Sequence, residues 1–265
     1  VLRLHNQDPA PLVSAAPGSR QVPEAVRVMR VPFHGPSFAD AVGSIRDMIR
    51  GTDTHQVILA NAHTLNLAWH DPAYRRLLER ADLVLRDGVG VEIAARLRGR
   101  PLEVNFCGTD FVARLLGALV AERPRVFLYG ARPGVAAAAG AALIARAPGM
   151  RLVGVENGFG DRVAVAARIR AACPDVLLVA LGNPLQEFWI AEHLRALDAR
   201  VAIGVGALFD YLAGRVRRAP RWVRALRSEW VFRMLMEPRR LAQRYLVGNP
   251  VFLWRSLLTL GEERR

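Results

Sequence analysis

The chain is predicted to fold as an α/β protein. It should have a Rossmann-like, mostly parallel sheet flanked by helices, and a basic C-terminal helical appendage. Three observations lead there. β-Branched apolar runs alternate with Ala-, Leu- and Arg-rich segments of helical period. The apolar runs are nearly continuous rather than alternating with polar residues, which suits strands covered on both faces. Near Gly206 the alternation stops, and only helical patterns follow.

In chain order, residues 1–25 are rich in Pro, Ala and Ser without strand or helix period, and read as a disordered leader. Ordered structure is expected from the short apolar run Val26–Phe33, opening an α/β core over 26–213. Its strands are predicted at Gln56–Ala60, Asp82–Leu85, Arg125–Tyr129, Arg151–Val155, Asp175–Leu181 and Arg200–Val205. Helices are predicted at Phe38–Arg50, Pro72–Arg80, Val89–Arg98, Thr109–Glu122, Pro133–Ala147, Val163–Ala172 and Pro184–Ala196. The run Ala207–Ala213 closes this part. The appendage, 214–265, should hold helices over Pro220–Arg227, Ser228–Leu235 and Pro238–Leu260, the last interrupted at Gly248–Pro250. In parallel α/β sheets ligands bind beyond the carboxyl ends of the strands. The loops of interest are therefore Ala60–Thr64, Arg86–Gly90, Gly130–Gly134, Gly182–Gln186 and Gly204–Phe209.

Composition narrows the function classes. No run of about 18 apolar residues occurs, so no spanning helix is encoded, and no secretory h-region is visible. Cys107 and Cys173 are the two cysteines, too few for a disulfide framework or a zinc quartet, and they suit a reducing cytosol. The net charge is +13, and every basic residue other than histidine is arginine. From Leu212 onward 13 arginines face four glutamates, a net +9 in the last fifth of the chain. Such a surface attracts a diphosphate substrate, an anionic membrane or nucleic acid. The interleaving of arginines with Trp222, Trp230, Tyr245 and Trp254 favours a lipid interface over nucleic acid, and no nucleic acid is expected.

Several loops carry chemistry-bearing residues. Asp87 in Asp87-Gly88-Val89-Gly90 follows a strand and opens a helix, where a carboxylate can take a proton from a hydroxyl or merely cap the helix. Asn61 can fix a substrate oxygen or hold the turn. Gly182-Asn183-Pro184-Leu185-Gln186-Glu187 presents amides and Gln186 at a positive helix end, suited to a diphosphate or a base edge, or to an ordinary capped connection. Gly204-Val205-Gly206 has two glycines of a dinucleotide fingerprint but lacks the third and its acidic partner. No Walker A sequence and no Asp-x-Asp clamp occurs, and His63 and His70 lack metal-like spacing; no metal and no cofactor are expected.

Taken in order, these segments resemble the WecG/TagA/CpsF family of bacterial glycosyltransferases, from about Arg30 to Leu257. The most specific pieces are Asn61-Ala62, Arg86-Asp87-Gly88-Val89-Gly90, Gly108-Thr109-Asp110, Phe127-Leu128-Tyr129-Gly130 and Asn157-Gly158-Phe159. Further on come Ala180 to Glu187, Gly204 to Asp210, Arg217-Arg218-Ala219-Pro220, Glu229-Trp230 and Glu237-Pro238-Arg239-Arg240. The resemblance implies inverting transfer of a hexose, N-acetylhexosamine or uronic acid from a UDP-sugar to a polyprenyl-diphosphate-linked sugar. It places the protein in cell-surface polysaccharide assembly, peripheral on the inner face of the bacterial cytoplasmic membrane, and leaves room for a homo-oligomer. It makes Asp87 the base. It puts Asn61, Gly88, Asn105, Gly130, Gly182, Gln186 and Gly206 at the donor, and Arg233, Arg240 and Arg244 at the lipid diphosphate.

The chain departs from the family pattern at three places. Leu59 stands where a Thr is common, Asn105 where an Arg is common, and Leu185 where a Lys is common. Two cations are thereby missing, and Arg86 or Arg132 is the candidate to replace them. Two other functions compete: a nucleotide-cofactor oxidoreductase using Gly204-Val205-Gly206, and a basic membrane-surface or nucleic-acid adaptor without turnover.

Overall fold

The computed structural model describes residues 25–220, 223 and 229–263. The leader and nearly all of the expected helix at 220–227 lie outside the described residues, as does the side chain of Arg240. A six-stranded, all-parallel sheet forms the centre, in the order β4-β3-β8-β7-β5-β6. Its strands are β3 (His55–Ala60), β4 (Leu83–Arg86), β5 (Arg125–Gly130), β6 (Arg151–Glu156), β7 (Val176–Ala180) and β8 (Val201–Gly204). All six expected strands are present, each within one residue of its predicted ends. A small antiparallel hairpin, β1 (Val26–Val28) and β2 (Val31–Phe33), joins the edge through a bridge from His34 to Leu85 beside β4.

Helices cover both faces, as continuous apolar strands require. One face buries Val57, Leu85, Leu128, Leu178 and Ile203 against α1 (Phe38–Arg50), α5 (Gly108–Ala118) and α6 (Val135–Arg146). The other face is covered in two parts. The hairpin, α3 (Pro72–Arg80) and α4 (Val89–Leu97) pack under β3 and β4. α7 (Arg162–Ala172) and α8 (Leu185–Leu197) pack under β5, β7 and β8.

One core helix is additional to those expected. α2 (Ala62–His70) starts directly after β3, where a loop was predicted. Asn61 is its N-cap: Oδ1 accepts from the backbone N–H of His63 (3.0 Å) and of Thr64 (3.2 Å). The Thr64 hydroxyl closes the reciprocal bond to the Asn61 N–H, completing a capping box. Asp71 then ends α2 and caps α3, so the two helices abut with no loop to betray the boundary.

The C-terminal part comprises α9 (Leu208–Leu212), α10 (Glu229–Met236), α11 (Pro238–Ala242), α12 (Gly248–Leu258) and α13 (Leu260–Glu263). The expected break at Gly248–Pro250 is not there. Those residues open α12 directly from the π-helical turn Gln243–Val247, with the Gly248 N–H donating to Gln243 O, so Pro250 sits where the hydrogen-bond pattern changes from π to α. The irregularity lies one turn earlier, in a π-helical turn over Gln243–Val247. α12 is anchored to the core. Phe252 is fully buried beside α2 and α4, Asn66 Nδ2 donates to Gly248 O at 2.7 Å, and Arg98 donates to Ser256 and Thr259 at 2.8–3.0 Å. No helix among the described residues is long and apolar enough to cross a membrane.

Candidate active site

Asp87 stands at the carboxyl end of β4. Its backbone N–H donates to Ala60 O at 2.8 Å, extending the β3–β4 ladder by one bond. Asn61, at the equivalent end of β3, donates from Nδ2 to Asp87 Oδ2 at 3.3 Å. Thus one Asn61 oxygen caps α2 while its amide nitrogen holds the carboxylate. On the other side, Asn105 Oδ1 accepts from the Gly88 N–H at 2.8 Å and fixes the turn after Asp87.

From the appendage, Arg233 on α10 and Arg244 in the π-helical turn reach the same place. Arg244 Nη2 lies 3.4 Å from Asn61 Oδ1, and the Arg233 guanidinium lies over the Tyr211 ring at 5.1 Å. Burial pushes the Asp87 carboxyl above its ordinary range; the Asn61 bond, the charges of Arg233 and Arg244 and a bond from Cys107 oppose that rise. Burial and the neighbouring Asp87 charge push the Cys107 thiol up to about 12, so it stays neutral. His63 is pushed down to about 4 by burial and by Arg244, and stays neutral too.

Two cavities meet at this point. The larger, about 1630 Å³, runs along the strand ends past Gly182, Gly206, Arg132 and Arg162. The smaller, about 280 Å³, lies between the Asp87–Gly90 turn and α10. Among the described residues that line both, Asp87 is the one carboxylate; Asn61, His63, Cys107, Arg233, Arg244 and Tyr245 share that wall.

Gln186 lines the larger cavity, with its amide engaged inside the protein. It is buried, and its Oε1 accepts from the N–H of Gly182 (3.2 Å) and of Gly206 (3.1 Å), while Nε2 donates to Glu187 Oε1 at 2.7 Å. Gln186 therefore braces two glycine loops under the larger cavity. A Cβ on Gly204 would lie 2.7 Å from Gln186 Nε2, so the Gly204-Val205-Gly206 pair serves this brace. Beneath it, Glu187 accepts from Asn183 Nδ2 at 2.9 Å, and burial pushes its carboxyl up to about 7. Gly130, at φ 129°, lets β5 pass β7: a Cβ there would sit 2.4 Å from Ala180 O. Gly130 lies behind the cavity wall, which its neighbours Ala131 and Arg132 form.

The structure thus gathers Asp87, Asn61, Gly182, Gln186, Gly206, Arg233 and Arg244 around the larger cavity, and places Gly88 and Asn105 on the smaller one. Arg86 is no free cation. It is buried, pairs with Glu92 at 2.9 Å and donates to three carbonyls, those of Gly88, Glu103 and Val104. Arg132 does line the larger cavity. Sequence reading missed Cys107, Tyr211 and Tyr245. Cys107 directly precedes the Gly108-Thr109-Asp110 segment, and that adjacency was the available signal. Asp110 itself pairs with Arg218 at 2.7 Å and ties the start of the appendage to α5.

A doubly covered parallel sheet, with glycine loops, a carboxylate and converging arginines at its carboxyl edge, is the layout of an α/β protein whose ligand site lies beyond its strand ends. The chain matches the model of the glycosyl transferase WecG/TagA/CpsF family over residues 26–265 and belongs to that family. It is 36% identical over 185 residues to the N-acetylglucosaminyldiphosphoundecaprenol N-acetyl-beta-D-mannosaminyltransferase of Bacillus spizizenii, covering 69% of this chain and 72% of the relative. The protein of the same name in Bacillus subtilis is 35% identical over 73% of this chain and 74% of its own length. That of Staphylococcus aureus is 30% identical over 87% and 91%.

Proposed function

We propose that this protein transfers a sugar from a UDP-sugar to a polyprenyl-diphosphate-linked sugar with inversion, in cell-surface polysaccharide assembly. The relatives' names supply the leading substrates: N-acetylmannosamine as the sugar moved and N-acetylglucosaminyldiphosphoundecaprenol as the acceptor. The observation that carries the reading is Asp87, the one carboxylate among the described residues on the wall shared by the two cavities.

In this reading Asp87 takes the proton of the acceptor hydroxyl as that oxygen attacks the anomeric carbon. The bond from that carbon to the UDP oxygen breaks, and its electron pair leaves with UDP. A raised carboxyl pKa makes Asp87 a stronger base once ionised. Asn61 holds the carboxylate in line. Leaving-group charge is met by Arg132, Arg162 and the loop amides of the larger cavity, without a call on a metal. Arg233, Arg244 and, from the family pattern, Arg240 meet the lipid diphosphate.

The chain divides functionally near residue 213 into a donor-binding core (26–213) and an acceptor-binding appendage (214–265) anchored through α12. Exposed apolar residues on the appendage support a peripheral station on the cytoplasmic face of the membrane. Leu235 is 72% exposed and Trp254 64%, with Leu246, Val247 and Leu258 also exposed. The test is UDP release by the full chain across a panel of UDP-sugars, with a lipid-diphosphate-linked N-acetylglucosamine as acceptor. Release that needs the acceptor supports the reading; no release with any donor defeats it and leaves an adaptor without turnover.

A further inference from the structure

We infer that Glu187 is a positioning residue for the transfer reaction, tying the glycine loops of the larger cavity to Asp87 through one buried chain of side chains. The inference rests on the transfer reading above and adds a residue that lines neither cavity.

The placement begins with the motif. β7 ends at Ala180 and α8 opens at Leu185, so Gln186 and Glu187 fall in the first helical turn, behind the strand ends. β8 ends on Gly204, where a Cβ would stand 2.7 Å from Gln186 Nε2 and 3.2 Å from Glu187 Oε1. That glycine makes room for the pair. Glu187 Oε1 then accepts from Gln186 Nε2 at 2.7 Å and from Asn183 Nδ2 at 2.9 Å. Two branches leave this oxygen. Gln186 carries one to the N–H groups of Gly182 and Gly206. Asn183 carries the other: its Nδ2 also lies 3.4 Å from Thr64 Oγ1, which accepts from the Asn61 N–H at 3.3 Å, and Asn61 holds Asp87. Glu187, Gln186 and Thr64 are buried, so water does not compete for these bonds.

A carboxylate in a first helical turn ordinarily faces solvent and answers the helix dipole as an anion. Glu187 is instead sunk in the protein without an ion pair among the described residues, and its Oε2 is buried with no hydrogen-bond partner among them. The groups that face it are neutral: Asn183 and Gln186, the Gln56 amide of β3, which donates to Glu187 O at 3.1 Å, and the Tyr74 phenol of α3. Burial chiefly raises the Tyr74 pKa, so the phenol stays neutral; Asp71, the cap of α3, is the charge beyond it. A buried charge with a bare oxygen is costly, and a proton on Oε2 removes it. Oε1 still accepts both amides. The position thus supplies one acceptor oxygen and no charge behind the loops.

The experiment compares the full chain with Glu187→Ala, Glu187→Gln and Thr64→Val. It uses the donor that supports UDP release in the panel above and the same lipid-linked acceptor. Glu187→Ala removes the acceptor oxygen, so kcat should fall about tenfold or more while acceptor KM stays within about twofold. The Gly182 and Gly206 amides, read by NMR, should exchange with solvent about tenfold faster. Glu187→Gln keeps that oxygen and should restore most of the lost rate and the slow exchange. Thr64→Val cuts the branch to Asp87 alone. Asn61 lowers the Asp87 pKa against burial, alongside Arg233, Arg244 and Cys107. Loosening Asn61 should therefore move the acid limb of the kcat profile up by about 0.5 pH unit or more, with UDP affinity and glycine exchange unchanged. A Thr64 that only caps α2 would leave that limb in place, which would overturn the tie to Asp87. Wild-type kcat and exchange in Glu187→Ala, or a Glu187→Gln no better than Glu187→Ala, would overturn the role of Glu187. Should Glu187→Ala not fold, slow glycine exchange in Glu187→Gln and the moved limb in Thr64→Val are both required, and the lack of either overturns it. A wild type that releases no UDP with any donor defeats the transfer reading. Glycine exchange then decides alone: faster in Glu187→Ala and restored in Glu187→Gln upholds the hold on the loops, and unchanged exchange overturns it.

Discussion

The two walls of the site are built in opposite ways. On the core side the polar side chains are committed within the protein. Asn61 caps a helix and holds Asp87, Gln186 spends both ends of its amide on Gly182, Gly206 and Glu187, and Arg86 is sunk against Glu92. On the appendage side Arg233 lies over the Tyr211 ring at 5.1 Å, and Arg244 meets Asn61 Oδ1 at 3.4 Å and the Tyr245 ring at 5.7 Å. A committed wall is preorganised and fixes where charge can develop. The appendage wall sets its guanidinium groups against aromatic rings at the cavity, where an arriving diphosphate can pair with them. In the proposed reading the chemistry stays with the core and acceptor capture with Arg233 and Arg244, while the larger cavity is lined from both sides, by Arg132 and Arg162 of the core and Arg215 and Arg217 of the appendage.

Asp87→Asn should break the core side most severely. It keeps the shape and the Asn61 neighbour but removes the base, so turnover should fall about 10²–10⁴-fold with UDP binding retained. In the wild type the acid limb of the rate profile should lie above the ordinary aspartate range of about 3.8, because burial raises the Asp87 pKa, and activity should rise with pH through that limb. Replacing Arg233 and Arg244 together by Gln comes next. Acceptor kcat/KM should drop about 10–100-fold, the loss of two charge-assisted contacts, while UDP affinity measured by calorimetry stays unchanged. Equal damage to donor and acceptor would erase the distinction between the walls.

The smallest effect is on stability. Burial raises Glu187 from 4.5 to about 7, so the folded protein holds this proton more tightly than the unfolded chain does. Its stabilising contribution is complete below pH 4.5 and is lost as pH rises to about 7, an effect of about 1–3 kcal/mol. His63, pushed down to about 4, shifts stability the opposite way over much of the same window, so the Glu187 effect is read as a difference: Glu187→Gln should gain melting temperature relative to the wild type as pH rises from 4.5 to about 7. The slope that Glu187→Gln retains belongs to Asp87, which shifts in the same direction as Glu187, and to His63 and His34, which shift the other way. A slope that Glu187→Gln leaves untouched would show that the brace under the loops does not depend on this carboxyl.

Much of this was legible in the sequence because the relevant signals are local. The six core strands are continuous apolar runs, and Asp87 and Asn61 announce themselves by standing where strands end. α2 was not legible: Asn61 begins it with no intervening loop, and Asp71 ends it while starting α3. Gly248-Asn249-Pro250 looked like a breaker, but those residues sit where the π-helical turn passes into α12. Gln186 was legible only in part. Its motif placed it at a helix start, but its bond to the Gly206 N–H depends on a loop that the pairing of β7 with β8 brings beside it. The division of the site into two cavities was equally hidden, since it depends on α10 and the π-helical turn folding back over β3 and β4.

The central claim is single displacement with Asp87 as the base, and stereochemistry tests it most directly. The product formed from an α-linked UDP-N-acetylmannosamine and the lipid-linked acceptor should be read by NMR at its new anomeric centre. The account predicts a β linkage, formed one for one with UDP. An α-linked product would require a second displacement through a covalent glycosyl intermediate, and would contradict it.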